Sequence, residues 1–366
     1  MQINQQRLLD RFLSYVACDS ESGNEANFCF MMEQELKRLG LHVERDSVGE
    51  ACGSNGWNVY ARLEGEGEPL LFCSHMDTVS PGVGIQPVIR DGVIYSQGDT
   101  ILAADDKSGI AAILEGLECI VEANAAHRPI EVLFTICEEL GLKGSYHADY
   151  SKILSKEAIV LDSGSQDKIT NQAPANVHLS FAIHGKSSHA GVAPQEGIHA
   201  LKAAAQAIVN IPVGYVDEVS VMNVANLVSH GKTNIVPDLA TFDMEIRSFD
   251  KAAYQAHIDA SIAAVQAACD AYGATFTYEL DPHTDVLLVP EDRPIVHKAQ
   301  QALRTLGIEA HPNKTYGGSD TSWLFAHGID AVNLGTGMDK AHGVNEHIAI
   351  ADLERTASFV LKMMQN

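Results

Sequence analysis

The sequence predicts an α/β fold, in which a mainly parallel β-sheet has helices on both faces and a second, ferredoxin-like α+β domain is inserted. Apolar strands alternate with helical segments up to residue 173, as in parallel sheets. The order β-α-β-β-α-β then follows, and the helix–strand alternation returns after residue 283. A chain of 366 residues, 46% of them hydrophobic, is large enough to bury the cores of two such domains.

The first and last parts of the chain are predicted to form one domain, 1–173 with 284–366. Its predicted helices cover 5–17, 25–39 (ending at Gly40), 107–122, 294–306, 320–327 and 353–364. Apolar runs predict its buried strands at 57–63, 69–74, 130–137, 157–161 and 331–334. The last of these strands is expected to complete the sheet that the earlier ones begin.

The middle of the chain, 174–283, is predicted to form the inserted domain. Strands are expected at 177–184, 219–228, 240–247 and 274–280, and helices at 195–211 and 252–272. This order is that of the split βαβ fold. Such a unit presents a sheet edge and helices to a two-fold mate, so we expect a homodimer formed through it.

Charge and cysteine usage exclude several classes of protein. The chain has 25 Lys and Arg against 48 Asp and Glu, a net charge of −23, which argues against nucleic acid or an anionic membrane as partner. No basic and apolar leader and no apolar run of about 18 residues is present. The seven cysteines are scattered without a Cys-x-x-Cys pair, which indicates reduced thiols and a cytoplasmic protein.

Side chains that bind metals follow three of the predicted strands. His75 and Asp77 come after 69–74, and other such residues after the next two strands are Glu138, Glu139 and Asp162. Because ligands bind outside the carboxyl ends of parallel strands, we expect these side chains to share one crevice. Two further segments can reach it, and they carry Asp105, Asp106 and His342.

So many carboxylates in one crevice would repel each other unless a cation lay among them. Imidazoles with carboxylates and no cysteine suit one or two divalent ions such as zinc, cobalt or manganese. Each residue alone has a simpler explanation, since Asp105 or Asp106 can cap a helix and Glu138 and Glu139 can be solvated surface. The convergence of four segments on one sheet edge favours the metal site.

Motifs along nearly the whole chain resemble those of the co-catalytic zinc exopeptidases, a family that includes peptidase T, aminoacylase, glutamate carboxypeptidase and succinyl-diaminopimelate desuccinylase. The similar runs are Ser-His-Met-Asp-Thr-Val at 74–79, Ala-Ala-Asp-Asp-Lys-Ser-Gly at 103–109, Cys-Glu-Glu-Leu-Gly at 137–141, Leu-Asp-Ser-Gly at 161–164, His-Gly-Lys-Ser-Ser-His-Ala-Gly at 184–191 and His-x-x-Asn-Glu at 342–346. The style of 185–191 and of Gly-Gly-Ser-Asp at 317–320 is most similar to the peptidase T branch.

The resemblance implies a role for each metal-site residue. One metal is expected on His75 and Asp162, the second on Glu139 and His342, and Asp105 is expected to bridge the two. Asp77 would accept the second ring N–H of His75, and Glu138 would be the general base. It also implies a cis peptide between Asp105 and Asp106, and it excludes the nearby His347 as a ligand.

The resemblance also gives roles to residues outside the metal site. His189 would stabilise the oxyanion, often in the active site of the other subunit, and Arg247 would bind a substrate carboxylate, with Asn234 as a weaker companion. Backbone N–H groups around Gly318 could face a substrate carbonyl or carboxylate. On local sequence alone, His189 is better explained as a surface loop histidine, whereas Arg247 is equally well explained as a strand-end charge.

Together these observations predict a metal-dependent exopeptidase of di- and tripeptides, a peptidase T-like aminopeptidase in which the inserted domain is a lid. Its cofactors would be two divalent ions, zinc first and cobalt or manganese as alternatives, and its partners a short peptide and a second copy of the chain. Two other functions remain open from the sequence. One is an amidohydrolase that removes N-acyl or N-carbamoyl groups, and the other is a non-catalytic binding module.

Overall fold

A computed structural model describes residues 1–365, which divide into two compact units. Unit 1 consists of Met1–Gln172 together with the chain from Leu287 onward, and unit 2 is Ala173–Val286. The predicted fold class is confirmed, because unit 1 is built on a mostly parallel sheet with helices and unit 2 on an antiparallel one. Within residues 1–365, none of the helices combines the length and the apolar character that crossing a bilayer requires.

The elements follow one another in three stretches. Up to residue 173 they are α1 (Gln5–Val16), α2 (Ala26–Arg38), β1 (His42–Arg45), α3 (Gly49–Cys52), β2 (Val59–Leu63), β3 (Leu70–His75), β4 (Pro87–Arg90), β5 (Val93–Ser96), α4 (Ala104–Ala123), β6 (Ile130–Thr135), α5 (Lys143–Tyr146), β7 (Glu157–Ser163) and β8 (Lys168–Ala173). In unit 2 they are β9 (Ala175–His184), α6 (Ala200–Asn210), β10 (Gly214–Tyr215), β11 (Ser220–Val228), β12 (Leu239–Ser248), α7 (Lys251–Tyr272) and β13 (Thr275–Thr284). From residue 287 they are β14 (Leu287–Leu288), α8 (Pro294–Arg304), β15 (His311–Lys314), α9 (Thr321–Ala326), β16 (Asp330–Gly335), β17 (Met338–Asp339), β18 (His347–Ala349) and α10 (Ile350–Met364).

The main sheet of unit 1 has, within the described residues, nine strands in the order β1-β2-β6-β3-β7-β16-β8-β14, with β15 beside β8. Its centre, β6-β3-β7-β16, is parallel. Strands β2 and β8 pair with this centre antiparallel, and β1 pairs antiparallel with β2. The apolar runs predicted all four of these parallel strands, and they also predicted β2, which pairs antiparallel. Strands β1, β8, β14 and β15 were not predicted, because they are short or polar and lack a continuous apolar run.

Helix α4 is the buried helix of unit 1, and every residue from Ala104 to Ile120 in it is buried. Its regular part agrees with the predicted helix, since Asp105 and Asp106 have non-helical backbone angles. A Cβ on Gly109 would lie 2.4 Å from Ser74 Oγ and 2.7 Å from Leu161 O. Only glycine therefore lets α4 approach the ends of β3 and β7 this closely.

Unit 2 is an antiparallel sheet in the order β10-β11-β12-β9-β13, which with α6 and α7 is the ferredoxin-like arrangement. Phe181 and Phe242 stack in its core with ring centroids 5.0 Å apart. Helix α6 begins at Ala200, five residues later than predicted, because Pro194–Glu196 form a separate 3-10 turn. His199 then accepts a hydrogen bond from the Lys202 N–H at 3.3 Å and caps the helix.

A cluster of arginine and glutamate side chains joins three helices of unit 1. Glu118 of α4 accepts hydrogen bonds from Arg11 of α1 and from Arg38 of α2, the latter at 2.9 Å, and its side chain is 9% exposed. Burial alone would raise the pKa of Glu118, but the hydrogen bonds from Arg38 and Arg11 lower it to about 2. The Glu118 carboxylate is therefore ionised in the folded protein at neutral pH.

We expect Glu118→Gln to lower the free energy of unfolding at pH 7 by about 1–3 kcal/mol, because two arginines lose a charged partner. A carboxylate with a lowered folded pKa stabilises above its unfolded pKa, and this stabilisation is lost as the pH falls toward about 2. Urea denaturation from pH 7 to pH 3 should show the variant and the wild type converging below about pH 4.5.

The matched control is Glu122→Gln, because Glu122 binds Arg7 from a side chain that is 59% exposed. Its free energy of unfolding should stay within about 0.5 kcal/mol of the wild type. A Glu118→Gln deficit that is the same at pH 3 as at pH 7 would contradict the charge-dependent role.

Candidate metal centre

Three neighbouring parallel strands end at the same edge of the main sheet and carry the predicted side chains there. His75 is the last residue of β3, and Asp162 is the last but one of β7. Glu138 and Glu139 follow β6, which lies beside β3. The sheet order β6-β3-β7 therefore places all four at one carboxyl edge, as the position of ligand sites in such sheets requires.

The turn after β6 is shaped by carboxylates from elsewhere in the fold. The strand ends at Thr135, two residues earlier than predicted, because Asn58 Oδ1 accepts the Ile136 N–H at 3.0 Å. Cys137 then has a φ of 51°, and its N–H is accepted by the buried Glu25 at 3.2 Å. Glu138 and Glu139 thus lie on a tight turn rather than at the end of an extended strand.

Asp105 lies between two histidines and faces each of them with a different carboxylate oxygen. Its Oδ1 is 3.0 Å from His75 Nε2, and its Oδ2 is 3.2 Å from His342 Nε2. His342 Nε2 is also 2.9 Å from Glu139 Oε1, and His75 Nε2 is 3.9 Å from Asp162 Oδ1. The peptide bond between Asp105 and Asp106 is cis, which confirms the prediction.

Among residues 1–365, potential ligand atoms form three overlapping groups, and within each group the atoms lie within 4.8 Å of one another. The groups are His75 with Asp105 and Asp162, Asp105 with Glu139 and His342, and His75 with Glu138 and Glu139. The first two share Asp105 and together contain the five predicted ligands. A single carboxylate between two such groups is suited to bridging a pair of cations.

Asp77 is fully buried and organises the residues around it. His75 Nδ1 lies 2.9 Å from the main-chain oxygen of Asp77 and 3.5 Å from its carboxylate, so the carbonyl is the nearer acceptor. The carboxylate accepts the N–H groups of Glu138 at 2.9 Å and Glu139 at 3.1 Å, and the Ser22 hydroxyl at 2.7 Å. Asp77 therefore positions both the imidazole and the Glu138–Glu139 turn.

Two further residues, for which the sequence predicted no role, bind the backbone at Asp162 and at the approach to Asp105. The side chain of Asn333 on β16 accepts the Asp162 N–H at 3.0 Å and donates to the Asp162 carbonyl at 2.6 Å. Glu346, buried and four residues after His342, accepts three N–H groups of the loop that leads into Asp105. Sequence could have drawn attention to Glu346, since it closes the His-x-x-Asn-Glu motif.

The charges of the centre favour a cation. Burial raises the pKa of Glu138 and of Asp162 well above the ordinary carboxyl value, and neighbouring carboxylates raise both further. Burial acts on Asp105 in the same sense, yet hydrogen bonds from His342 and His75 hold its pKa well below the ordinary value. Hydrogen bonds with Asp105 and Glu139 raise the pKa of His342 to about 10. Divalent ions among these groups would offset the repulsion, and the donor set of carboxylates and imidazoles fits them.

Other candidates in unit 1 lie outside these three groups. Gly318 is exposed in the loop before α9, and the neighbouring Gly317 N–H donates to Thr315 Oγ1 at 3.1 Å. His347 stacks on Tyr95 with ring centroids 5.2 Å apart, and it lies in none of the three groups. The assignment of a substrate contact to Gly318 stays a prediction.

The structure places the remaining predicted residues in unit 2. His189 is exposed and its backbone forms a bridge with Ile235, which brings it next to the loop that carries Asn234. Arg247 lies on β12, and its Nε and Nη2 are 2.6 Å and 3.0 Å from the two carboxylate oxygens of Glu245. The substrate roles of His189, Asn234 and Arg247 stay predictions.

Comparisons of the sequence and of the structure with known proteins agree with one another. A sequence profile described as "Peptidase family M20/M25/M40" matches residues 71–366. A Bacillus subtilis (strain 168) protein, "Uncharacterized protein YqjE", is 34% identical over 366 residues, 99% of each chain. Aminopeptidase PepT from Bacillus cereus superimposes with a TM-score of 0.91 at 33% identity, covering 99% of this chain and 98% of that one. A Staphylococcus aureus tripeptidase superimposes with a TM-score of 0.93 at 32% identity, covering 100% and 99%.

Proposed function

Since the chain belongs to the M20/M25/M40 peptidase family, we propose that it is an aminopeptidase that releases the N-terminal residue of short peptides, tripeptides first. Membership confirms the family predicted from the motifs, and the chain is a hydrolase and a metal-dependent peptidase. The observation that carries the proposal is the Asp105 carboxylate, whose two oxygens face His75 and His342 on opposite sides.

The proposed division of ligands follows these contacts. His75 and Asp162 would hold one ion, Glu139 and His342 the other, and Asp105 both. Divalent ions at these positions make a water more acidic and polarise a peptide carbonyl. Imidazole nitrogens with carboxylate oxygens are ligands that zinc accepts, so zinc is the proposed metal, with cobalt and manganese as alternatives.

Glu138 is proposed as the residue that moves the proton. Its carboxylate lies within 4.8 Å of ligand atoms of His75 and Glu139 but outside the two groups that share Asp105. It would take a proton from the attacking water and pass it to the nitrogen of the leaving group. The raised pKa of Glu138, caused by burial and by Glu139, would fall beside cations into a range suited to a general base.

Substrate contacts are proposed for four residues. His189 would donate to the oxyanion of the tetrahedral intermediate, and Arg247 with Asn234 would bind a peptide carboxylate. Gly318 would offer a backbone N–H. His189 is exposed, and its backbone bridge with Ile235 brings it next to the loop that carries Asn234. Both observations support the proposal that His189 and Asn234 contact the same substrate.

We further propose a cytoplasmic homodimer formed through unit 2. None of the cysteines is in a disulfide in the described part of the chain, which agrees with a reducing compartment. On unit 2, Val209 is 78% exposed and Val213 57%. The outer edge of β11 beyond Met222 has no strand partner in residues 1–365, and an edge of this kind pairs readily with another strand.

Light scattering should give twice the mass of one chain, and a monomer at micromolar concentration would contradict the dimer.

The substrate class is tested with protein reconstituted with Zn²⁺, Co²⁺ or Mn²⁺ after chelation. We expect turnover of tripeptides with a free amino group, weaker turnover of dipeptides, and none after chelator treatment. The comparison set is the same tripeptides with an acetylated N-terminus, together with N-acetyl and N-carbamoyl amino acids. Preference for these acylated compounds would replace the aminopeptidase by an amidohydrolase, and turnover that survives complete metal removal would contradict the proposed centre.

The role of Glu138 is tested by Glu138→Gln, which keeps the size of the side chain and removes its ability to accept a proton. We expect two metal ions per chain by elemental analysis, with kcat lowered by about 10²–10⁴-fold. Glu139→Gln, one residue further along, is the matched control and should lose metal instead. Turnover of Glu138→Gln close to that of the wild type would rule out the assignment.

A further inference from the structure

Glu346 is a buried carboxylate that binds backbone N–H groups of the segment leading into the metal centre. Glu346 Oε2 accepts the N–H groups of Leu102 and Ala103, both at 2.8 Å, and Oε1 accepts the Asp105 N–H at 2.9 Å. The residue is 1% exposed. Both of its oxygens are thus occupied by backbone donors, and it belongs to none of the three groups of potential metal ligands.

The backbone that Glu346 binds is a bend with little support of its own. Ala103 has a φ of 63°, an uncommon conformation for a residue with a Cβ, and all residues from Ile101 to Asp106 are buried. Buried N–H groups without an acceptor are costly, and one carboxylate satisfies three of them here. Glu346 therefore supplies the acceptor for three N–H groups of this segment, including that of Asp105.

The segment that carries Glu346 also contacts the side chain of Asp105. His342, four residues before Glu346, places its Nε2 3.2 Å from Asp105 Oδ2. The segment 342–346 accordingly holds Asp105 at two points, its carboxylate and its main-chain N–H. The chain bends sharply in between, since His342 has a φ of 66°.

We propose that Glu346 is a positioning residue for the metal pair: by holding the Asp105 N–H, it keeps the shared carboxylate midway between His75 and His342. This inference rests on the proposed function only in requiring that the centre binds two ions. Replacing a residue that orients a metal ligand through a hydrogen bond typically lowers metal affinity by about 10–100-fold.

The decisive variant is Glu346→Gln, which keeps the shape and one acceptor oxygen. If the amide oxygen takes the place of Oε2, the bonds to Leu102 and Ala103 survive, and the amide NH₂ faces the Asp105 N–H, donor against donor. The variant thus disturbs the contact to Asp105 above all others.

A matched control exists in the same unit. Glu131 is 4% exposed and lies at the start of β6, at the opposite end of the strand from Glu138 and Glu139. It accepts the N–H groups of Leu154 at 3.1 Å and Ser155 at 2.8 Å. Glu131→Gln likewise removes the charge of a buried carboxylate that binds two backbone donors, here together with the Ser155 hydroxyl, without touching the metal centre. It measures the general cost of such a change.

Metal binding is measured by competition with a chromophoric chelator, using Zn²⁺ and Co²⁺, and the visible absorption spectrum of the Co²⁺ protein reports ligand geometry. We expect Glu346→Gln to bind at least one ion about 10–100-fold more weakly and to alter the Co²⁺ spectrum, with Glu131→Gln like the wild type in both. Wild-type affinity and spectrum in Glu346→Gln, or equal losses in the two variants, would overturn the inference.

Glu346→Asp separates position from charge, and it also decides the matter if Glu346→Gln does not fold. It keeps the negative charge but withdraws the oxygens by one methylene, so weakened binding and an altered spectrum are again expected. Wild-type metal binding in Glu346→Asp would show that Glu346 does not act by position. If the wild type itself binds no metal, the proposed function fails, whereas normal wild-type binding with normal variants removes only the role of Glu346.

Discussion

The centre of this protein depends on one constraint: several carboxylates are held close together in a region that water barely reaches. Like charges at such distances repel strongly, and burial makes each of them harder to ionise. The fold accommodates them because Asp105 faces an imidazole with each of its oxygens. The parallel order β6-β3-β7, the buried helix α4 and the close approach at Gly109 all serve to bring these groups to the same edge.

A second regularity concerns the turns that carry the ligands. Two of them are held by buried carboxylates that accept backbone N–H groups: Asp77 and Glu25 bind the turn of Glu138 and Glu139, and Glu346 binds the approach to Asp105. Charged acceptors form stronger hydrogen bonds than neutral ones, and a buried loop has few other partners. The side chains that could bind cations are therefore placed by further anions, which adds negative charge to a region that already favours cations.

The fold and the ligand set follow from sequence to different extents. Apolar runs ending at His75, Asp162 and the Glu138–Glu139 pair were enough to predict the parallel core and its ligand edge, because strand burial and ligand placement are both local signals. The short or polar strands β1, β8 and β15 carry no such signal. Nor could the roles of Asn333 and Glu346 be read from sequence, since an acceptor is defined by which distant N–H groups the folded chain brings to it.

The chain order of the proposed metal ligands has a consequence for synthesis. His75, Asp105, Glu139 and Asp162 precede the insertion Ala173–Val286, whereas His342 and Glu346 follow it. A ribosome adds about 5–20 residues per second, so the carboxylates exist for many seconds before their last imidazole emerges. If these residues hold the ions as proposed, a nascent chain in this interval lacks one ligand of the second cation site.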